Sequence, residues 1–347
     1  MTGRSLWEMT DLSTPWALRT VVTLGVPDLI ADGVREPSEL AKQTGADARA
    51  LARLLRHLAA RGVFTEPVPG SFGLTETGEQ LRRGHPSRMA DWLDTRGAAG
   101  RMDEVYAALP AAVRTGAPVY ESVHGTPFWA HLAADPALQE SFDALMSQGS
   151  GDYHPMLADR DWSTAGHVVD VGGGQGELLA RLLAEAPQLR GTLFELPGPI
   201  AGAGELLTAA GVADRCEVVA GSFFDDPIPA GGDVYLLASV LHNWPDEQVV
   251  TILRRVAAAA GTDGRVLIVE GVIDAGADQQ WATHLDLKML ILLGGQERTP
   301  AHLTELAQQA GLAAAGVSHR DRGPFQLPYA VLEYTVAAAA DRRDADR

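Results

Sequence analysis

From His167 onward the chain alternates short apolar runs with amphipathic stretches, and few folds accept that alternation. HVVDV, GTLFEL, CEVVA, DVYLLAS and RVLIVEG read as buried strands. ELLARLLAEA, the segment after Gly198 and the stretch from Glu247 to Ala260 read as helices between them. Repeated strand–helix units predict an α/β, Rossmann-like parallel sheet with both faces covered, because each parallel pairing needs a crossover. AAAGVSHR and YAVLEYTV then read as a terminal strand pair. In open sheets of this kind, ligands sit beyond the carboxyl ends of the strands.

The chain before this region follows other rules. In PSELAKQTGADARALARLLRHLAARGVF, Ser38 is the expected N-cap of one helix and Asp47 of the next, with Gly45 between them. Leu51, Leu54, Leu55 and Leu58 recur on one helical face, and Pro69-Gly70 turns a short hairpin after Gly62. This predicts a helix-turn-helix with a wing over residues 1–90. Residues 91–160 are expected to form a helical connector that reaches a ligand pocket. The α/β domain is expected over 161–337, and the polar tail 338–347 is expected to be disordered.

Charge narrows the function. The 347 residues carry 28 Lys+Arg against 45 Asp+Glu, a net −17, which disfavours nucleic acid and anionic lipid as partners. Residues 1–90 are near neutral, with 11 basic and 10 acidic side chains, so the acidity lies downstream. One cysteine, Cys216, excludes an internal disulfide. With no long apolar run, a cytoplasmic location and no membrane contact are expected.

The ligand signal is Asp170-Val171-Gly172-Gly173-Gly174-Gln175-Gly176, after one strand and before a helix. The dinucleotide rule wants a glycine where Glu177 stands, and Glu177 would set negative charge beside a pyrophosphate. A cationic, phosphate-free cofactor suits Gly172, Gly174 and Gly176 better, and S-adenosylmethionine is one. Taken alone, such a loop is as easily a tight connection. Glu195 ends the next strand, where a carboxylate can accept from a ribose diol. Gly221-Ser222-Phe223-Phe224 follows the third strand, with Phe223 able to stack on a base or simply to fill core. Asp170, before the loop, and Ser239, at the end of the fourth strand, complete the expected cofactor set.

The chemical signal is His242 in SVLHNWPDE, again past a strand end. Histidine suits proton removal near neutral pH, although a lone histidine is more often structural. Glu270 ends the neighbouring strand, where it could fix the imidazole tautomer. Downstream, WATHLDLKMLILLGGQERT carries Leu285, Met289 and Leu292 at helical spacing. It reads as a covering helix or as a pocket wall, with His284 as a polar contact.

Together these segments resemble the two-domain small-molecule O-methyltransferases of plant phenolic and bacterial polyketide tailoring. DVGGGQG resembles that family's cofactor loop, FELP its ribose strand end, GSFF its adenine site, LHNWPDE its base motif and GGQERT a late signature. The resemblance implies a class I methyltransferase domain with a seven-stranded, mostly parallel sheet whose last strand is antiparallel. It also implies a winged-helix-like dimerisation domain, hence a homodimer. S-adenosylmethionine would be the donor, a hydroxyl of a small aromatic secondary metabolite the acceptor, and no metal is needed. His242 maps to the base and Glu270 to its orienting acid, with Met146, Asn243, His284 and Met289 facing the acceptor. Three positions depart from the family pattern: Ser222 stands for an Asp, Asn243 for the Asp after the base, and His302 near a second acid. Relatives that hydroxylate instead tend to lack the histidine. The alternatives are such a hydroxylase or decarboxylase and, in another class, a DNA-binding regulator using Arg49, Arg53 and Arg56.

Overall fold

A computed structural model describes residues 5–158, 160–273, 280–320 and 328–337. The tail at 338–347 lies outside the described residues. The chain divides into two compact units, Met1–Glu104 and Val105–Arg347.

In the first unit, helices Ser13–Thr23, Val26–Ala31, Pro37–Thr44 and Ala48–Ala59 precede an antiparallel hairpin of β1 (Phe64–Val68) and β2 (Ser71–Leu74). Leu51, Leu55 and Leu58 turn inward against Val21, Leu40 and Phe72, as the leucine spacing predicts. Asp47 caps its helix, its side chain accepting from the Ala50 amide at 2.8 Å. Ser38 does not cap the preceding helix. Pro37 takes the first helical position and Glu36 becomes the N-cap, because proline has no amide to lose there. Arg49, Arg53 and Arg56 face solvent, with Arg56 reaching Glu66 of the wing at 3.3 Å.

The stretch 91–160 divides between the units. Ala90 and Leu93 join the core of the first, and Met156 and Leu157 join that of the second. Residues 105–158 form helices that include Phe128–Ala134 and the long Pro136–Ala158.

The second unit holds β3 (His167–Val171), β4 (Arg190–Glu195), β5 (Cys216–Ala220), β6 (Val234–Ala238), β7 (Arg265–Gly271), β8 (Leu312–Arg320) and β9 (Tyr329–Val336). They form one sheet in the order β5-β4-β3-β6-β7-β9-β8. β3 to β7 pair in parallel, and β9, last in the chain, runs antiparallel to both neighbours. Alternate residues feed opposite faces. Val169, Tyr235, Leu237 and Ile268 pack on the helix Asp246–Ala260, while Val168, Leu236 and Leu267 pack on Glu177–Glu185. CEVVA, expected to be buried, is instead an edge strand with Glu217, Val218 and Ala220 exposed. The order of the strands reverses between β3 and β6, which opens a crevice at their carboxyl ends.

Candidate active site

The glycine-rich loop leaves β3 at this crevice. Gly172, Gly174 and Gly176 all have positive φ, and a Cβ on Gly173 would lie 2.4 Å from Asp170 Oδ2. The loop therefore folds back over Asp170, which is 1% exposed and whose carboxylate oxygens both lack a hydrogen-bond partner. Burial, with the nearby charge of Glu195, pushes the Asp170 carboxyl up to about 7. Glu195, half-buried at the end of β4, accepts from the Gly174 amide at 3.0 Å and from its neighbour Leu196 at 2.6 Å. Burial raises its pKa too. Neither carboxyl, the buried Asp170 or the half-buried Glu195, has a salt-bridge partner among the described residues, an arrangement that favours positive charge nearby.

The Ser222 hydroxyl is engaged within its own turn, donating to Asp225 at 3.1 Å and accepting from the Phe224 amide at 3.1 Å. Asp225 and Asp226 carry the carboxylates there, Asp226 accepting from the Ser222 amide at 2.9 Å. Phe223 meets the glycine loop, its ring 3.7 Å from where a Cβ on Gly172 would lie. It also packs edge-on against Trp244 at 5.8 Å. Trp244 in turn stacks on Trp129 at 6.5 Å, and Phe142 meets Trp129 at 5.7 Å. The result is an aromatic wall that runs from the loop to the helix Pro136–Ala158. Ser239, in the left-handed region with φ 52°, accepts from the Tyr153 hydroxyl at 2.7 Å.

His242 lies on the single 3-10 turn Leu241–Asn243 that continues β6. Its Nδ1 meets Glu297 Oε1 at 2.7 Å, and Nε2 has no partner among the described residues. Glu297 is therefore the carboxylate that meets the ring, and the expected His242–Glu270 pairing does not form. Glu270 Oε1 is spent on the backbone, accepting from Val240 at 3.0 Å and Leu241 at 2.6 Å, where no helical or strand partner exists for those amides. Burial disfavours a charged ring, but Glu297 and Glu270 outweigh it and raise the His242 pKa above the usual histidine range. Burial also raises Glu270, to about 7.

Several residues of GGQERT hold this turn or the chain beside it. A Cβ on Gly295 would lie 2.1 Å from the His242 carbonyl oxygen, so only glycine lets the two backbones touch. Gln296 donates to Asp246 at 2.7 Å, and the Glu297 amide donates to Asp286 at 2.8 Å. Arg298 reaches the carbonyls of Leu241 and Trp244. Thr299 caps the helix Pro300–Gln309. His302 is not short of an acid: its Nε2 meets Asp246 at 3.0 Å, and the second carboxylate at the base is Glu297, five residues earlier.

The expected acceptor residues are more scattered. Met146 is exposed on its helix, Met289 is buried, and His284 is exposed and stacks on Tyr106 at 6.2 Å. The Asn243 amide turns back to the carbonyls of Val240 at 3.2 Å and Ser239 at 3.4 Å. Sequence reasoning passed over Glu297, Arg298, Trp244 and Tyr153. GGQERT was visible as a motif, but its acid lies 55 positions from His242 and no periodicity links them.

Family models match both units of the chain. One described as an O-methyltransferase domain matches residues 106–313, and one described as an O-methyltransferase dimerisation domain matches 7–83. The chain belongs to the O-methyltransferase family. Within this family it is 48% identical over 306 residues to the 2,7-dihydroxy-5-methyl-1-naphthoate 7-O-methyltransferase of Streptomyces carzinostaticus, covering 88% of this chain and 91% of that one. It is 43% identical over 335 residues to the aclacinomycin 10-hydroxylase of Streptomyces purpurascens, covering 94% and 89%. Among solved structures, an O-methyltransferase of neocarzinostatin biosynthesis, in complex with S-adenosylmethionine and 2-hydroxy-5-methyl naphthoic acid, superposes with a TM-score of 0.89. It is 45% identical, and the match covers 97% of this chain and 100% of that one.

Proposed function

We propose that this O-methyltransferase moves the methyl group of S-adenosylmethionine to a hydroxyl of a small, polyketide-type aromatic molecule, with His242 as the base. One observation carries the reading: an imidazole is held through Nδ1 by a buried carboxylate, its Nε2 has no partner among the described residues, and Val240, two residues before it, packs on Gly172 of the glycine loop. The residues fit the cofactor. The Asp170 carboxyl is buried without a hydrogen-bond partner, Glu195 stands at the end of β4, the loop brings its backbone close, and Phe223 and Trp244 offer an aromatic face. When bound, S-adenosylmethionine supplies an electrophilic methyl on a sulfonium.

The rest falls to the protein. A phenol with a pKa of about 10 is mostly protonated at neutral pH, so its proton must leave as the oxygen attacks. Nε2 accepts that proton and Glu297 stabilises the imidazolium that results. Such a base contributes about 10²–10⁴-fold. The strong pull of Glu297 leaves the ring charged at rest, and a cation in the neighbouring pocket favours its neutral form. The aromatic wall supplies a flat apolar surface for a ring system. The N-terminal unit, where Leu6, Trp7, Met9 and Leu12 are exposed, is proposed to pair two copies of the chain. Among the described residues no helix is long and apolar enough to cross a membrane.

The test is incubation with methyl-labelled donor and a panel of hydroxynaphthoates, hydroxyquinones and hydroxybenzoates, using wild type and His242→Ala. Label should enter product with wild type, and the variant should lose turnover while keeping donor affinity. Equal turnover by the variant would remove His242 from the mechanism. The 43% identity to a hydroxylase gives the second reading, in which product mass rises by one oxygen and no methyl is gained.

A further inference from the structure

We infer that Arg298 is a positioning residue for the base: its guanidinium spans the His242 turn from outside and sets the angle at which the imidazole meets Glu297. The inference rests on the functional reading above only for its kinetic arm.

The turn has no regular neighbours to hold it. Beyond β6 the chain passes through Ser239 at positive φ and then a single 3-10 turn, so its backbone groups need partners from elsewhere. Glu270 takes the amides of Val240 and Leu241. Arg298 takes the carbonyls on either side of His242: Nη1 donates to Leu241 at 3.1 Å and Nη2 to Trp244 at 2.6 Å. Nε donates to Asp246 at 2.9 Å, and Nη1 also reaches the Gln296 carbonyl at 3.2 Å. The side chain is 1% exposed, whereas that of Asp246 is 40% exposed. Arg298 therefore holds both ends of a turn whose ring it does not touch. It is also the residue after Glu297, so one short backbone segment carries both the acid that meets the ring and the fork that aims it. Only a planar fork with several fixed donors can serve two carbonyls and a carboxylate together, and a lysine ammonium cannot. The charged groups that face His242 are Glu297 and Glu270 on one side of the balance and Arg298 on the other. Replacement by lysine keeps the charge and removes only the fork.

The experiment uses the full chain as Arg298→Lys, Glu297→Gln and the double variant. Histidine-labelled protein is titrated by NMR, and steady-state rates are taken with the best acceptor from the panel. Arg298→Lys is expected to lower kcat by about 10–100-fold, as misalignment near a reacting group does, with donor affinity within about twofold. The His242 titration midpoint should move down, in the same direction as in Glu297→Gln, because the ring loses its hold on the acid. In the double variant kcat should fall no further than in Glu297→Gln alone, within about twofold, since both act through one contact. A folded Arg298→Lys with unshifted titration and wild-type kcat overturns the inference, as do losses that multiply in the double variant. If Arg298→Lys does not fold, Asp246→Asn takes its place. That side chain is partly exposed, its loss frees the guanidinium from its aim, and the same two readouts apply. The titration reports on the ring whether or not any acceptor is methylated, so failure of the functional reading is seen separately.

Discussion

Glu297→Gln tests the site most sharply, because it removes a charge while keeping shape. The carboxylate side chain is 1% exposed, with Oε1 2.7 Å from His242 Nδ1, so water screens the pair little. Together with Glu270 it lifts the ring from 6.5 to about 9 against the opposing effect of burial. Without Glu297 the ring should titrate at or below the ordinary histidine value, a shift of about 2 units or more. The base must be neutral to act, so the wild-type rate falls as pH drops through the ring's pKa, and in the variant that acidic limb should move down by the same amount. A bound sulfonium lowers both limbs and leaves their separation. The plateau rate should nonetheless fall by about 10²–10⁴, since the tautomer is no longer fixed and the imidazolium no longer stabilised. The fold should respond too. A raised histidine stabilises the folded state fully below pH 6.5 and loses that contribution as pH climbs through about 9. Wild type should therefore lose on the order of 3 kcal/mol over that window, and the variant should not. The assays are kcat against pH from 6 to 10 and denaturant unfolding over the same range. An acidic limb that stays put in the variant would refute the pairing as the source of the base's properties.

Other outcomes follow from the same contacts. Glu270→Ala should cost about 2 kcal/mol or more in urea unfolding, since two buried amides lose their acceptor, whereas Glu270→Gln keeps an oxygen there and should cost far less. Gly295→Ala should lower stability by about 1–3 kcal/mol and reduce kcat, because a Cβ at 2.1 Å from the His242 carbonyl oxygen forces the turn to move. Because Asp170 titrates near 7 in the absence of a cation, donor binding at neutral pH should release protons, seen as buffer-dependent binding heats, and Asp170→Asn should reduce the release. Glu195→Ala should weaken donor affinity at least tenfold by calorimetry and also lower stability by about 1 kcal/mol, since the amides of Gly174 and Leu196 lose their acceptor.

The parallel sheet was legible because a period-2 or fully apolar strand and a period-3.6 helix leave different marks, and HVVDV, DVYLLAS and RVLIVEG occupy the central positions their composition implies. CEVVA looks the same on paper, yet strand order depends on crossovers rather than composition, and it came out at the edge. The turn of the glycine-rich loop was legible because glycine spacing is a local property. The partner of His242 was not. Glu270 was expected at that ring from its strand end, but the side chain bends to nearby amides, and the acid comes from a loop that tertiary packing alone brings close. Ser222 was also not fully legible: a serine beside free amides bonds within its own turn, which sequence alone does not show.

The contact of Gly295 with the His242 backbone divides the labour of the preceding and following chain. Downstream, Glu297 and Arg298 are committed to the His242 turn, while Gln296 and Thr299 are bound to Asp246 and to the next helix. Upstream, the helix Gln280–Leu293 ends before that anchor and shows solvent Trp281, His284 and Leu287. On the proposed reading, its outward residues can be traded without moving the His242 ring, which would give a lineage of such enzymes a way to explore new acceptors while keeping the proton chemistry.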